Sequence, residues 1–339
     1  MINMRKGTAA LLATALIATA GCGADDAATS EDGLTTVRIA SGAALVTDWD
    51  DYVAEDLGFY EDNDIKVDRI STQTAQAATQ LLVAGGADIG RGIPPAIQAN
   101  IRSSGGVELV SVADMMIRPP FVMYGSEGVT TYDDLRGKTV AMSTETDSTT
   151  IVTYDILKAK GLSQDDVDGV TVGGTADRYA GLVADAVAAT ALLPPVNLQA
   201  EKDGMPRIGY FPEDMGPEWK FSFTSVIASK DWAAENENTV VQFLKARDEA
   251  LQWLADETNR EEAVQILADN IDISTDDADQ LYELMMTGDT RSFADRIGVD
   301  KVASERVLTD LVEQGFVPDG HSIDEFVDDS YADQARSEG

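Results

Sequence analysis

Thiols and imidazoles are nearly absent from this chain of 339 residues, which has one cysteine, Cys22, and one histidine, His321. A single cysteine cannot close a disulfide within its own chain. One histidine and one cysteine do not make up the usual zinc ligand sets. His321 lies in the acidic stretch GHSIDEFVDD, so no Ser/His/Asp relay forms unless that stretch folds into a cleft. Basic residues are scarce too: 25 Lys+Arg stand against 60 Asp+Glu, a formal net charge of −35. That balance repels nucleic acid, which needs a basic footprint, and disfavours electrostatic adhesion to anionic lipid. The acids are spread along the chain rather than gathered in one block, as on a solvated surface of a salt-adapted or highly soluble secreted protein. No GxxxxGK[ST] loop is present, so the chain has no P-loop with which to hydrolyse ATP. Carboxylates are plentiful enough for a glycosidase-like acid/base pair, but surface acid accounts for them. No metal or cofactor is expected.

What is present begins with the leader. Arg5 and Lys6 precede GTAALLATALIATAG (7–21), an uncharged run that ends in small residues. A basic start, an apolar run of ~7–15 residues and a small-residue cleavage site describe a secretory signal. The run is shorter than the ~20 apolar residues of a membrane-spanning helix. Thr19-Ala20-Gly21-Cys22 resembles a bacterial lipobox, in which the signal is cut before a cysteine whose sulfur receives a diacylglycerol; the position three before the cysteine is usually leucine, and here it is Thr19. Residues 1–21 are therefore expected to be a lipoprotein signal peptide. Residues 22–34 are expected to be a lipidated cysteine and a flexible, acidic tether. Two or three acyl chains hold a protein on a membrane where one is marginal. Removal of Arg5 and Lys6 takes the formal charge from −35 to −37.

About 300 residues remain beyond the tether, enough for two lobes. Short apolar runs alternate with helical patterns throughout: TTVRIASG (35–42), a helical DWDDYVAEDLGFY with Asp48 as its cap, IKVDRIST (65–72), AQAATQLLVAGG (75–86) and ELVSVADM (108–115). A second series follows Arg118-Pro119-Pro120, with strands at KTVAMST (138–144), GVTVGG and AVAATAL (186–192) and helices at STTIVTYDILKAKG (148–161) and ADRYAGLVAD. Such alternation predicts an α/β fold with largely parallel sheets. LVA at 82–84 with Pro-Pro at 94–95 recurs as LVA at 182–184 with Pro-Pro at 194–195, consistent with two related units. FSFTSVIASKDWAAE (221–235) reads as a strand returning to the first lobe. A helix follows on which Val240, Val241, Leu244, Leu251 and Leu254 share one face, with Arg247 an interruption near its rim. Further helices are expected at roughly 260–270, 275–286 and 300–314.

The order of EDLGFYEDNDIKVD, LLVAGGADIG, TYDDLRGKTVAM, ILKAKGL and LVADAVAATALLPP resembles the solute-binding proteins of nitrate/sulfonate/taurine-type ABC importers, a group that includes pyrimidine-precursor (NMT1/THI5-like) and aromatic-acid binders. The resemblance runs from about residue 35 to 315. It implies a type II periplasmic-binding-protein fold: two α/β lobes joined by two crossover strands, with lobe 1 built from 35–118 plus 225–339 and lobe 2 from 119–224. The hinges are then near 118–122 and 221–226. Relatives usually carry an acid in the second unit where this chain has Ala188; Asp88 is its counterpart in the first.

Ligands of open α/β sheets sit beyond the carboxyl ends of strands, near helix N-termini. The candidate contacts are Ser41, Trp49, Arg91, Ile93, Met116, Arg118, Thr144, Asp147, Ser148, Thr149, Thr190 and Phe223. Ser148 and Thr149 offer hydroxyls and free N–H groups at a helix start, while Glu145 and Asp147 favour an amine instead. Arg91 and Arg118 are candidate clamps on an acid, Trp49 a stacking surface with the methionines as an apolar wall, and Arg178 a packing residue. The expected function is extracytoplasmic: capture of a small organic molecule (planar organic acid, heterocycle or sulfonate-like) and delivery to ABC permease subunits and their ATPase. The protein is expected to be a monomer held on the outer face of the cell membrane through Cys22, and not an enzyme. A binding module serving a sensor, or a secreted carboxylate-based hydrolase, are the competing classes.

Overall fold

The computed structural model describes residues 33–41, 46–72, 75–91, 106–145, 147–315 and 317–337. Six strands make the first sheet: β1 (Thr35–Ser41), β2 (Ile65–Ser71), β3 (Ile89–Arg91), β4 (Leu109–Met116), β10 (Thr224–Ser229) and β11 (Phe293–Gly298). Their order is β11–β4–β10–β3–β1–β2. The second sheet holds β5 (Val122–Gly125), β6 (Thr139–Met142), β7 (Asp168–Thr171), β8 (Ala189–Leu192) and β9 (Arg207–Tyr210), in order β7–β6–β8–β5–β9. β4 and β8 are buried along their whole length, which is why they read as continuous apolar runs. The fold is thus two α/β lobes, each around a mixed sheet.

β9 and β11 have no strand signal in the sequence. Both are edge strands, with exposed Arg207 in one and an irregular pairing to β4 in the other. Edge strands lack the two-sided burial that writes an apolar pattern. Gly209 in β9 is required by close approach: a Cβ there would lie 2.0 Å from Asp214 Oδ2 and 2.6 Å from Tyr132 Oη, which are themselves hydrogen-bonded at 2.8 Å.

The first core joins Val37, Ile39 and Met115 to the apolar faces of helices Trp49–Asp56, Glu237–Ala255, Arg260–Ile271 and Thr275–Met286. Each fully buried Leu or Val of these faces contributes ~1.5–3 kcal/mol by transfer from water. Arg247 is not at the rim of this face. It is fully buried, between the equally buried Asp50 and Asp51. An arginine inside an apolar face is tolerated because two carboxylates meet it there.

Helix Lys301–Glu313 departs from the expected lobe division. By position it belongs to the 225–339 segment assigned to lobe 1, yet Val307, Leu308 and Leu311 share a core with Phe121, Ile151 and Ile156 of the second sheet's side. Residues 317–327 follow it, and Ser111 N donates to Phe326 O (2.8 Å) while Asp328 N donates to Ser111 O (2.9 Å). The helix covers an apolar face that the second sheet's own helices leave open, and the chain then returns to the back of β4. The last helix, Ser330–Ser337, packs Tyr331 and Ala332 into the first core.

Two crossover segments link the sheets, residues 117–121 and 211–223. They pair with each other: Phe221 N donates to Ile117 O (2.9 Å) and Phe223 N to Met116 O (3.0 Å). Ile117 N also donates to Ser292 O (3.0 Å), so the turn before β11 lies against the hinge. Among the described residues no helix is long and apolar enough to cross a membrane.

Candidate functional site

Strand direction places the site. In the first sheet β1, β2 and β3 are parallel, and β4 runs with them because both β3 and β4 are antiparallel to β10. In the second, β6, β7 and β8 are parallel and β9 shares their direction, since β8 and β9 are both antiparallel to β5. The crossovers leave from the carboxyl ends of β4 and β9. They enter the opposite sheets at those same edges, Thr224 opposite Met116 and Val122 opposite Leu192 and Tyr210. The carboxyl edges of both sheets therefore meet at the hinge, the arrangement in which α/β proteins hold ligands.

The lobes already touch on one side of this junction. Tyr210 Oη donates to Leu284 O at 3.0 Å, Lys202 Nζ pairs with Asp277 at 2.6 Å, and Leu198 reaches into the first core.

On the first lobe's edge, Arg91 ends β3 and is 6% exposed. It is not a free clamp. Its guanidinium pairs with Asp48, lies 3.5 Å from Asp51, and donates from Nη2 to Thr47 O at 3.1 Å. Three acids within four residues at the start of helix Trp49–Asp56 require counter-charges, which buried Arg91 and Arg247 and half-buried Arg69 supply. Burial pushes the Asp48 carboxyl up against the lowering by Arg91. Asp51 is also buried, but Arg247, Arg69 and Arg91 outweigh that and hold it well below the usual carboxylate range. Asp48 sits at the helix start but its side chain makes no capping bond.

Trp49 is also corrected. It is fully buried, donates from Nε1 to Ala263 O at 3.0 Å and meets Tyr282 edge-on at 5.8 Å. Its position follows helical periodicity: one residue past the cap, it turns under the sheet instead of toward the loop. Met116 is fully buried in the same core. The apolar wall expected of these two residues is absent from the edge. Ser41 ends β1 opposite Ser71. Ile93 and Cys22 lie outside the described residues.

On the second lobe's edge, Thr144 is exposed, Ser148 half-buried and Thr149 buried. Asp147 caps helix Ser148–Ala159 by accepting from Thr149 N at 2.8 Å. One of the free N–H groups expected for a ligand is thus already bound, and a carboxylate stands beside the others. Thr190 is fully buried and donates to Ala141 O at 3.1 Å within the sheet, not toward the edge. Phe223 is a hinge residue, half-buried, with its ring 5.5 Å from that of Phe121 and packed on both cores. Arg178 donates from Nη2 to Thr175 Oγ1 and Ala191 O (both 3.2 Å) and from Nη1 to Gly173 O, stitching the loop after β7 to the end of β8. Asp88 accepts from Arg38 N (2.8 Å), Nε (3.0 Å) and Nη2 (2.6 Å), a structural use that asks for no counterpart at Ala188.

Arg118 lies two residues past the end of β4, at the start of the first crossover. Its Nη1 donates to Arg291 O (3.1 Å) and its Nη2 to Pro217 O (2.6 Å), and it lines a cavity of about 620 Å³ beside β11. Among the described residues no cluster of His, Cys, Asp and Glu could hold a metal ion. His321 Nδ1 lies 3.3 Å from Glu325, and its ring packs on Phe326 at 5.6 Å.

Solved structures share this architecture. The periplasmic nitrate-binding protein NrtA from Synechocystis PCC 6803 superposes with a TM-score of 0.73 at 18% identity, over 90% of this chain and 89% of that one. The periplasmic aliphatic sulphonate binding protein SsuA from Escherichia coli gives 0.68 at 19%, over 86% and 91%. The desulfurization enzyme DSZB gives 0.65 at 16%, over 89% and 99%, so the same fold also serves an enzyme. No curated protein sequence matches the chain. A family profile described as NMT1/THI5 like matches residues 50–261, from the start of helix Trp49–Asp56 to that of helix Arg260–Ile271. On that match, which spans both crossovers and most of the two sheets, the chain belongs to the NMT1/THI5-like family.

Proposed function

We propose that the protein is the extracytoplasmic solute-binding component of an ABC importer. It captures a small organic molecule between its two lobes and presents the closed form to permease subunits and their ATPase. The observation that carries this reading is the meeting of two strand-end edges at a pair of mutually bonded crossovers, in a member of this family. Binding proteins for nitrate and for aliphatic sulphonates share the fold. On this reading the protein acts by binding, not by turnover, as the nitrate- and sulphonate-binding proteins of the same fold do. With Trp49 and Met116 in the core, the case for a planar ligand loses its stacking wall. A small polar solute is the reading the edges support.

The mechanism is a population shift between lobes apart and lobes together. Closure adds to the contacts that Tyr210, Lys202 and Leu198 make with the first lobe. In a thermal-shift screen of sulfonates, nitrate, pyrimidines and aromatic acids, one class is expected to stabilise the protein by ~2.7 kcal/mol at a hundredfold excess over its dissociation constant. Small-angle scattering should show the same ligand making the particle more compact. Release of a chemically altered product would sink the binding-protein reading in favour of an enzyme.

The membrane link belongs to the same proposal. TAGC after an uncharged run marks Cys22 for a diacylglycerol, with residues 23–34 as tether and a monomer at its end. In a cell that processes bacterial lipoproteins, Cys22→Ser is expected to move the protein from the membrane fraction to the soluble one or leave it unprocessed. Soluble wild-type protein without an acyl-cysteine by mass spectrometry would contradict the anchor.

A further inference from the structure

A cavity lies beside the hinge, on the β11 side of the end of β4. Its walls are the start of the first crossover, Lys220 of the second, and residues 288–300 around β11. Four basic side chains line it, Arg118, Lys220, Arg291 and Arg296, against three carboxylates, in a chain of net charge −35. Three of the four cations already have acids: Lys220 has Asp300 (2.6 Å), Arg291 has Asp295, and Arg296 has Asp248 (2.6 Å).

Arg118 has none. It is 8% exposed, and no carboxylate among the described residues lies within ion-pair distance. Its two hydrogen bonds go to backbone carbonyls, Nε is buried without an acceptor, and three of the five N–H groups of a guanidinium therefore remain. Burial, with Arg291 nearby, lowers its pKa by more than the more distant Asp300 and Glu218 carboxylates raise it, the mark of a charge removed from water without full compensation. A buried cation of this kind is stable only with a counter-charge.

We propose that this cavity is an oxyanion site, separate from the solute site, in which Arg118 holds a sulfate, phosphate, sulfonate or carboxylate group by charge-assisted hydrogen bonds from its free N–H donors. Arg291 and Lys220 flank the anion, and Ile117, Phe293 and Val299 give an attached organic body an apolar wall. The site spans both crossovers and the turn before β11. An anion there braces the hinge and changes the energy of lobe movement, so it acts as a second ligand on solute capture.

The test uses the full chain with inorganic sulfate and phosphate, then methanesulfonate and benzoate, each titrated at constant ionic strength in chloride and read by melting temperature and calorimetry. Saturable binding of at least one is expected. It should weaken at least tenfold in Arg118→Gln and severalfold in Arg291→Gln, whose half-exposed side chain pairs only with Asp295 among the described residues. Lys138→Gln, an exposed cation outside the cavity, should bind as wild type does. Tighter binding of the inorganic anions names a free ion as occupant, and tighter binding of the organic ones names an acidic head group. No saturable effect above chloride, or equal affinity in both arginine variants, overturns the site. If Arg118→Gln does not fold, Arg291→Gln decides. None of these outcomes depends on which solute the strand-end edges bind.

Discussion

Arg247→Ala is expected to cost about 3–5 kcal/mol of folding stability, the loss typical of removing one partner from a buried ion pair. Arg247 donates from Nε to Asp50 Oδ2 at 2.8 Å and from Nη1 to Asp51 Oδ1 at 3.2 Å, and all three residues are fully buried. Alanine would leave Asp50 facing a hole, with Asp51 held by Arg69 and, at 3.5 Å, by Arg91. Urea unfolding measures the loss. Acid should narrow it. The Asp51 carboxyl is held below its unfolded value near 3.9, so its contribution is present above that pH and disappears as pH falls below it. The wild type then loses the part that Arg247 supplies, which the variant lacks at every pH. A loss under ~1 kcal/mol at neutral pH would show that the variant hydrates or rearranges the acids. The double variant Asp50→Ala/Arg247→Ala should cost less than the sum of the singles, because neither leaves the other uncompensated.

The opposite sign is expected of Asp310→Asn. Asp310 projects from helix Lys301–Glu313, is 7% exposed, and has one carboxylate oxygen buried without a partner. Burial, with the Asp155 carboxylate nearby, pushes its pKa up to about 7. Below the unfolded value near 3.9 both states hold the proton and the residue costs nothing. As pH rises toward 7 the unfolded chain gives up its proton first, so the folded state loses stability through that window. At 1.36 kcal/mol per unit, the difference is on the order of 2–4 kcal/mol above pH 7. Asparagine does not ionise. The variant should match wild type near pH 4 and melt progressively higher than wild type up to pH 8. A constant offset at every pH would assign the change to packing and not to ionisation.

Arg247 and Asp310 also show where sequence reading stops. Each was visible as a position on a helix. Neither pattern said that an arginine in an apolar face would meet two acids nearly 200 residues away, or that the helix of Asp310 would pack on the second lobe. Strand–helix alternation, by contrast, marked nearly every central element, because a strand buried on both faces must be apolar and a helix against it must be apolar on one stripe. Trp49, Met116 and Thr190 lie in the core for a related reason. Sequence placed them at strand ends, but rotation about the helix and the pleat of the strand decide whether a side chain at an end turns to the cleft or to the core.

By itself the sequence determined the fold class, the two-lobed plan and the lack of an intrachain disulfide, a usual zinc ligand set or a P-loop. These follow from local periodicity, composition and short motifs, which lie within a few turns of chain. The tertiary structure decided which charges face each other: Arg91 on Asp48, Arg247 on Asp50 and Asp51, and Arg118 at a cavity with no carboxylate within ion-pair distance among the described residues. Pairing over such distances is a property of packing, since a charge costs little in water and several kcal/mol once buried, and only the folded chain says which groups are buried together.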